Sequence, residues 1–264
     1  MSYQTIQLSI EHGAATVTLN RPEVRNAFNE NVIEELNQVF QELAQMDTVR
    51  AIVLAGNGPA FCAGGDLNWM KKVAAYTPDE NLADAEQMAD MLYQIYSCTK
   101  PVIARIHGDC YAGGMGLAAV CDIAVAVDTA NFCLSEVKLG LVPATISPYV
   151  IKAMGPNAAR RYFLTAERFS AQEAHRIGFV HEAVPADQLD ATVDRIVKAI
   201  LGNGPNAVMA AKWLVEDVSG AEIDEELLAY TAECIAEIRN TDEAREGVAS
   251  FLEKRKPNWL LHLN

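Results

Sequence analysis

The chain is poor in basic residues, in paired cysteines and in long apolar runs, and each shortage removes a class of function. Lys and Arg number 21 against 35 Asp and Glu, a formal charge of −14 over 264 residues. A field of that sign opposes docking on a phosphate backbone, because local bases must first outweigh it. Nucleic acid is therefore not an expected partner. A small phosphorylated ligand needs only a few bases, and Arg21, Arg25, Lys71, Lys72 or the run "EKRK" at 253–256 could supply them. No apolar run approaches the roughly 20 residues of a membrane span, so no membrane partner is expected either. The opening "MSYQTIQ" is polar and uncharged, unlike a signal peptide, which gives the expectation of a cytoplasmic protein or one processed into an organelle. The six cysteines, at 62, 98, 110, 121, 133 and 234, lie in apolar surroundings with no C-x-x-C pair. They read as free core thiols, not as disulfides or a metal site. Missing as well are a full G-x-G-x-x-G, a Walker A lysine, a G-x-S-x-G elbow and H-E-x-x-H. Dinucleotide binding, nucleotide hydrolysis, serine hydrolysis and zinc protease chemistry lose their usual signatures.

What is present is an alternation of strand and helix patterns, the mark of an α/β fold. Ile6, Leu8 and Ile10 alternate with polar residues, as do Ala15, Val17 and Leu19, with "EHG" between them as a hairpin turn. Val32, Leu36, Val39, Phe40 and Leu43 keep helical spacing behind an Asn29 cap, and the run "AIVLA" at 51–55 reads as a buried strand. Thr77, Pro78 and Glu80 form a capping-box start for a second helix, which should end before Pro101. "PVIARI" and "DIAVAV" are further strands, and helices dominate from Pro148 onward. Ser147 with Pro148 and Ser170 with Glu173 mark helix starts, Gly178 after Ile177 marks a stop, and 187–252 divides into three helical patterns at "GNGP" and "RNTD". No linker separates this tail from the core and no internal sequence repeat stands out. The expected organisation is one continuous domain with a core over 1–190 and a helical region over 191–264.

Two glycine turns carry the chemical interest: "FCAGGDL" at 61–67 and "YAGGMG" at 111–116, each after a strand and each opening a helix. Free N–H groups at a helix start, approached closely because glycine has no side chain, bind an oxyanion if two such turns face one point. Ordinary tight turns would share the same spacing. The second turn brings no catalytic side chain with it, and the acid is expected elsewhere, at Glu136 in "CLSEVKLG", whose alternative reading is a solvated loop residue.

The segments "NRPEVRNAF" (20–28), "GPAFCAGGDL" (58–67), "KPVIARIHGDCYAGGMGLAAVCDIAVA" (100–126) and "SEVKLGLVP" (135–143) resemble, in order and at its spacing, the crotonase or enoyl-CoA hydratase/isomerase superfamily. The resemblance implies a spiral of ββα units, a C-terminal helical part used in trimer formation (homotrimer or dimer of trimers), and a coenzyme A thioester as substrate with no separate cofactor. It places the oxyanion donors on the N–H groups of Gly65 and Gly113 and the acid/base on Glu136. It also puts Ala63 to Leu67, Asp66 among them, against adenine and pantetheine, Arg25 and Ala27 near the nucleotide, and Lys254 within reach of a coenzyme phosphate, on the same or a neighbouring subunit. Asp66 has the position of a helix cap, and Trp69 and Met70 that of acyl-pocket walls. His107, at a strand end, reads as a structural histidine, and Asp109 is the fallback base.

One departure matters. The family's two-glutamate hydratases hold water between two carboxylates, and the first of these positions is Gly116 here. A finer likeness, in "NLADAEQMADMLYQIY", "SEVKLGLVPATISPYVIKAMG", "ARRYFLTAERF" and "FLEKRKPNW", is to hydratases of 3-methylglutaconyl-CoA and isohexenylglutaconyl-CoA. Their substrates carry a second carboxylate, which is expected to orient water in a site left open by Gly116, with Lys71, Lys72 or Arg160 as candidate counter-charges. The rivals are a one-glutamate isomerase and a non-catalytic CoA-ester or RNA-binding relative.

Overall fold

The computed structural model describes residues 3–261. The chain opens with the hairpin β1 (Ile6–Glu11) and β2 (Ala14–Leu19), followed by α1 (Glu30–Gln45), β3 (Ala51–Gly56), β4 (Ala60–Cys62), α2 (Leu67–Val73) and α3 (Pro78–Tyr96). Next come β5 (Val102–Ile106), β6 (Asp109–Tyr111), α4 (Gly113–Ala119), β7 (Ile123–Val127), β8 (Asn131–Cys133) and α5 (Ser147–Thr165). After β9 (Phe169–Ser170), α6 (Ala171–Arg176) and β10 (Glu182–Val184), the helices α7 (Leu189–Gly202), α8 (Pro205–Val218), α9 (Glu225–Arg239) and α10 (Asp242–Leu252) complete it.

The local signals explain most boundaries. Asn29 accepts from the Val32 N–H at the start of α1, Thr77 and Glu80 close a full capping box on α3, and Ser170 caps α6. All six residues of β3 are buried, as a strand between two parallel neighbours requires. β1 lies at the sheet edge, and there Ile10 is exposed despite the alternating pattern. Helix α5 begins at Ser147, with Ile146 as the cap, and is broken at Gly155, whose φ of 76° is followed by Pro156.

Two sheets emerge. The larger has the order β1-β2-β3-β5-β7-β10 and the smaller β4-β6-β8-β9. Each passage of the chain therefore runs from a longer strand of the first sheet to a three-residue strand of the second and then into helix: β3-β4, β5-β6, β7-β8. This is the α/β spiral of ββα units, repeated in structure without a repeat in sequence. In the small sheet β4, β6 and β8 are parallel, with Cys62 opposite Cys110 and Tyr111 opposite Cys133. Their C-terminal ends thus lie side by side, and whatever follows each strand is delivered to one place. Gly65 follows β4, Gly113 follows β6 and Glu136 follows β8.

Two expectations about the tail need correction. Residues 187–252 form four helices, not three, because "SGAEID" at 219–224 is a further break: Gly220 has φ +81° and Asp224 caps α9 through the Leu227 N–H. In addition α7 spans residue 190 and buries Leu189, Val193, Val197 and Leu201 in the core, so the core reaches to Gly202. Beyond it, α8 and α9 bury no residue, while Ile223, Leu228, Val248, Phe251 and Leu252 stand exposed. Polar ties hold this region down: Arg50 donates to the carbonyls of Leu201, Asn203 and Trp259, and Lys212 pairs with Asp122 at 2.9 Å.

Candidate active site

A cavity of about 350 Å³ opens where the three short strands end, lined among others by Phe28, Ala63, Gly65, Leu67, Ala112, Gly113, Ser135, Glu136 and Ile146. Its first turn is sewn to the segment before α1. The Phe28 N–H donates to the Gly64 carbonyl at 2.7 Å, the Asp66 N–H donates to the Phe28 carbonyl at 2.7 Å, and the Ala63 N–H donates to the Arg25 carbonyl at 3.0 Å. Gly65, bracketed by these bonds, keeps its own N–H without an acceptor among the described residues. Gly113 opens α4 and likewise donates to nothing there. Both glycines are half-buried, and two backbone N–H groups left unbonded on one cavity wall suit an electron-rich ligand oxygen.

Glycine is required by contact at both turns. A Cβ on Gly64, where φ is +92°, would meet the Ala112 methyl at 2.8 Å, and one on Gly113 would meet the Phe28 ring at 2.8 Å. Ala112 itself has φ 48° and ψ −121°, a left-handed conformation that costs an alanine about 1–3 kcal/mol. The fold holds it there by the Ala112 N–H bond to the Cys133 carbonyl at 2.8 Å and the Met115 N–H bond to the Ala112 carbonyl at 2.9 Å.

Glu136 begins a single 3-10 turn, Glu136–Leu139, right after β8. Its Oε2 is buried without a partner. Burial among apolar walls raises its pKa above the ordinary carboxylate range, opposed only in part by a bond from its own backbone N–H. Among the described residues, Glu136 is the one carboxylate on the cavity wall, and no lysine or arginine lines it.

Asp66 faces away from the cavity. It caps α2 through the Asn68 and Trp69 N–H groups and pairs with Arg21 at 2.8 Å, while Arg21 also donates to the Ala27 carbonyl at 2.6 Å. Burial alone would raise the Asp66 carboxyl, but the bonds from Arg21 and the two backbone N–H groups hold it below the ordinary range. Arg21 is thus a structural residue behind the Gly65 turn, a role that its sequence position as one more surface base did not reveal.

The structure brings together Gly65, Gly113, Glu136, Ala63 and Leu67, with Trp69 and Met70 beside them. Arg25, Ala27 and Lys254 do not line the cavity, Lys254 lying exposed after α10. Lys71, Lys72 and Arg160 are exposed and lie off the wall, and Lys72 is paired with Glu30 at 2.5 Å. His107 donates from Nε2 to the Gly58 carbonyl at 2.9 Å, and Asp109 accepts from Asn131. Both are off the wall.

Gly116 departs most from expectation. It is buried inside α4 and off the wall, and a Cβ there would sit 2.2 Å from Ile146 Cγ2 and 2.9 Å from Ile146 Cβ. The missing glutamate leaves no open water site; Ile146 fills the space. Ile146 and Phe28 are among the wall residues that the sequence did not single out. Phe28 was visible only as the end of a quoted motif, and Ile146 as an apolar residue before a helix.

Comparison with known proteins agrees with this architecture. The enoyl-CoA hydratase/isomerase family model matches residues 9–261. An enoyl-CoA hydratase structure from Shewanella pealeana is 41% identical with a TM-score of 0.94, over 97% of this chain and 96% of that one. An enoyl-CoA hydratase structure from Mycobacterium smegmatis is 35% identical with a TM-score of 0.90, over 97% and 99%. The crotonyl-CoA hydratase of Syntrophomonas wolfei is 30% identical over 98% of this chain and 99% of its own length. With the parallel ends of β4, β6 and β8 converging on one cavity and a match over nearly its whole length, the chain belongs to the enoyl-CoA hydratase/isomerase family.

Proposed function

We propose that the chain is an enoyl-CoA hydratase that adds water across the α,β double bond of a CoA thioester, with the thioester oxygen held by the Gly65 and Gly113 N–H groups and Glu136 as acid and base. The observation that carries this reading is one wall bearing two unbonded N–H groups and a single buried carboxylate. Charge builds on the thioester oxygen as hydroxide character reaches the β-carbon, and a donor aimed at it is worth roughly 3–4 kcal/mol. Ionised Glu136 takes one proton from water as the oxygen bonds to the β-carbon. The double-bond electrons pass to the thioester oxygen, and the enolate then recovers a proton at the α-carbon from the same carboxyl. One group serving both carbons acts from one face, so addition is syn.

The acyl group is proposed to be of the glutaconyl type, 3-methylglutaconyl or isohexenylglutaconyl, its own carboxylate orienting the water that no second glutamate holds. Since no basic side chain among the described residues lines the wall, that carboxylate would be met by the hydroxyls of Ser135 or Thr145 and by water. The expected kcat/KM for 3-methylglutaconyl-CoA exceeds that for crotonyl-CoA at least 100-fold, in line with the ~10²–10⁴ of one positioned group. Equal values would remove the glutaconyl assignment. The single carboxylate also suits a double-bond isomerase, and product mass after incubation in H₂¹⁸O separates the two: hydration adds 20 mass units to the ester, roughly the mass of one such water, and isomerisation adds none.

The exposed apolar residues of α9 and α10, with a groove of about 390 Å³ between α8 and α9, suit burial in a homotrimer or dimer of trimers. Light scattering is expected to give three or six times the 28.7 kDa chain mass. A monomer at micromolar concentration would contradict this.

A further inference from the structure

Phe28 touches both oxyanion turns by two different means. Its backbone brackets Gly65: its N–H donates to the Gly64 carbonyl, its carbonyl accepts from Asp66, and the two residues form an isolated parallel bridge. Its ring lies under Gly113, with Cε2 at 2.8 Å and Cδ2 at 3.1 Å from where a Gly113 Cβ would stand. The side chain is 1% exposed and belongs to the main core. It cannot swing away without emptying that space. Neither turn is fastened to the other by a bond between Gly65 and Gly113 themselves.

We infer that Phe28 is a positioning residue that sets the separation of the two N–H groups, its main chain fixing Gly65 and its ring fixing Gly113. This rests on the oxyanion reading given above. The physical demand is strict, since donors act only when placed about 2.7–3.1 Å from the charged oxygen, and an error near 1 Å can cost about 100-fold. A ring is suited to the task because it is flat, incompressible and limited to two torsions. A leucine or methionine at 28 keeps the main-chain bracket and the apolar filling yet no longer bears flatly on Gly113.

The test reads the hole itself as well as turnover. In a Glu136→Gln background a conjugated dienoyl-CoA is bound and its ultraviolet absorbance followed, because hydrogen bonds to the thioester oxygen shift the band to the red. With Phe28 intact a red shift is expected. Phe28→Leu and Phe28→Met are expected to lose more than half of it. With Glu136 present, both are expected to lower kcat about 10- to 100-fold with KM changed less than about 3-fold. Phe179→Leu removes an equally buried ring, 2% exposed and off this wall, and controls for lost stability. It should lower the melting temperature while sparing both readouts. A full shift in the Phe28 variants, a change in KM alone, or an equal loss in Phe179→Leu would overturn the assignment. Absence of any shift with Phe28 intact would overturn the oxyanion reading and this inference with it.

Discussion

Replacing Glu136 by glutamine is expected to lower kcat by at least about 10²–10⁴-fold while leaving the dissociation constant of a CoA ester within a few-fold of its starting value. The substitution keeps the shape of the side chain and both oxyanion donors but removes the carboxylate among the cavity-lining residues that can carry a proton. Binding energy drawn from the coenzyme is unaffected; the chemical step loses its base and its acid together. The pH profile gives a second readout. Burial raises the Glu136 pKa, so the acid limb of kcat/KM is expected above the roughly 4.3 of a free glutamate, and residual activity of the variant should lack that limb. Stability moves the opposite way. A carboxyl whose folded-state pKa is raised favours the fold fully below the unfolded pKa, and that contribution disappears as pH rises through the folded value. Glu136→Gln is therefore expected to melt higher than the parent protein at pH 8, with the gap closing below about pH 4. Unimpaired turnover in the variant would move the chemistry to another group.

The second large effect concerns the position where a second carboxylate would be added. Gly116→Glu looks from sequence like restoring a lost catalytic residue, but it is expected to cost more than about 4 kcal/mol and to yield little soluble protein. The new Cβ would overlap Ile146 Cγ2 at 2.2 Å, and Ile146 Cβ at 2.9 Å is too close to its own backbone to yield. The carboxylate would also enter a buried position whose nearest neighbours are the Ile146 and Leu92 side chains. Gly116→Ala separates the terms. It gains about 1 kcal/mol of helix propensity and loses roughly 1–3 kcal/mol to overpacking, so a net loss is expected in urea unfolding. Adding Ile146→Ala should recover most of that loss in a double-mutant cycle. An additive cycle would mean that Ile146 is not what fills the space.

Much of this was legible in the sequence because local chemistry was strong. The buried run of β3, the Thr77–Glu80 capping box and the Asn29 cap all stand as read. What was not legible depended on pairing across distance. Strands of two or three residues such as β4, β6, β8 and β9 are too short to show a period, yet their parallel register is what gathers Gly65, Gly113 and Glu136. Arg21 and Asp66 meet across 45 positions, and Ile146 reaches Gly116 across the packing of α4 on α5. The Gly220 break was not legible because a lone glycine with no proline beside it is weak punctuation and apolar residues continue on both sides, Val218 before it and Ala221 and Ile223 after it. In the site, glycine spacing announced two turns but not that they face one cavity, and the absence of a side chain at Gly116 was mistaken for empty space.

The central claim is that two main-chain amides share one thioester oxygen beneath a lone glutamyl group. A crystal structure of the Glu136→Gln protein with a bound enoyl-CoA tests it most directly. The expected result is the thioester oxygen within about 2.7–3.1 Å of both Gly65 N and Gly113 N, with the residue 136 side chain over the α- and β-carbons. A thioester oxygen bonded to water or to any other group, with either glycine N–H left unbonded, would contradict it.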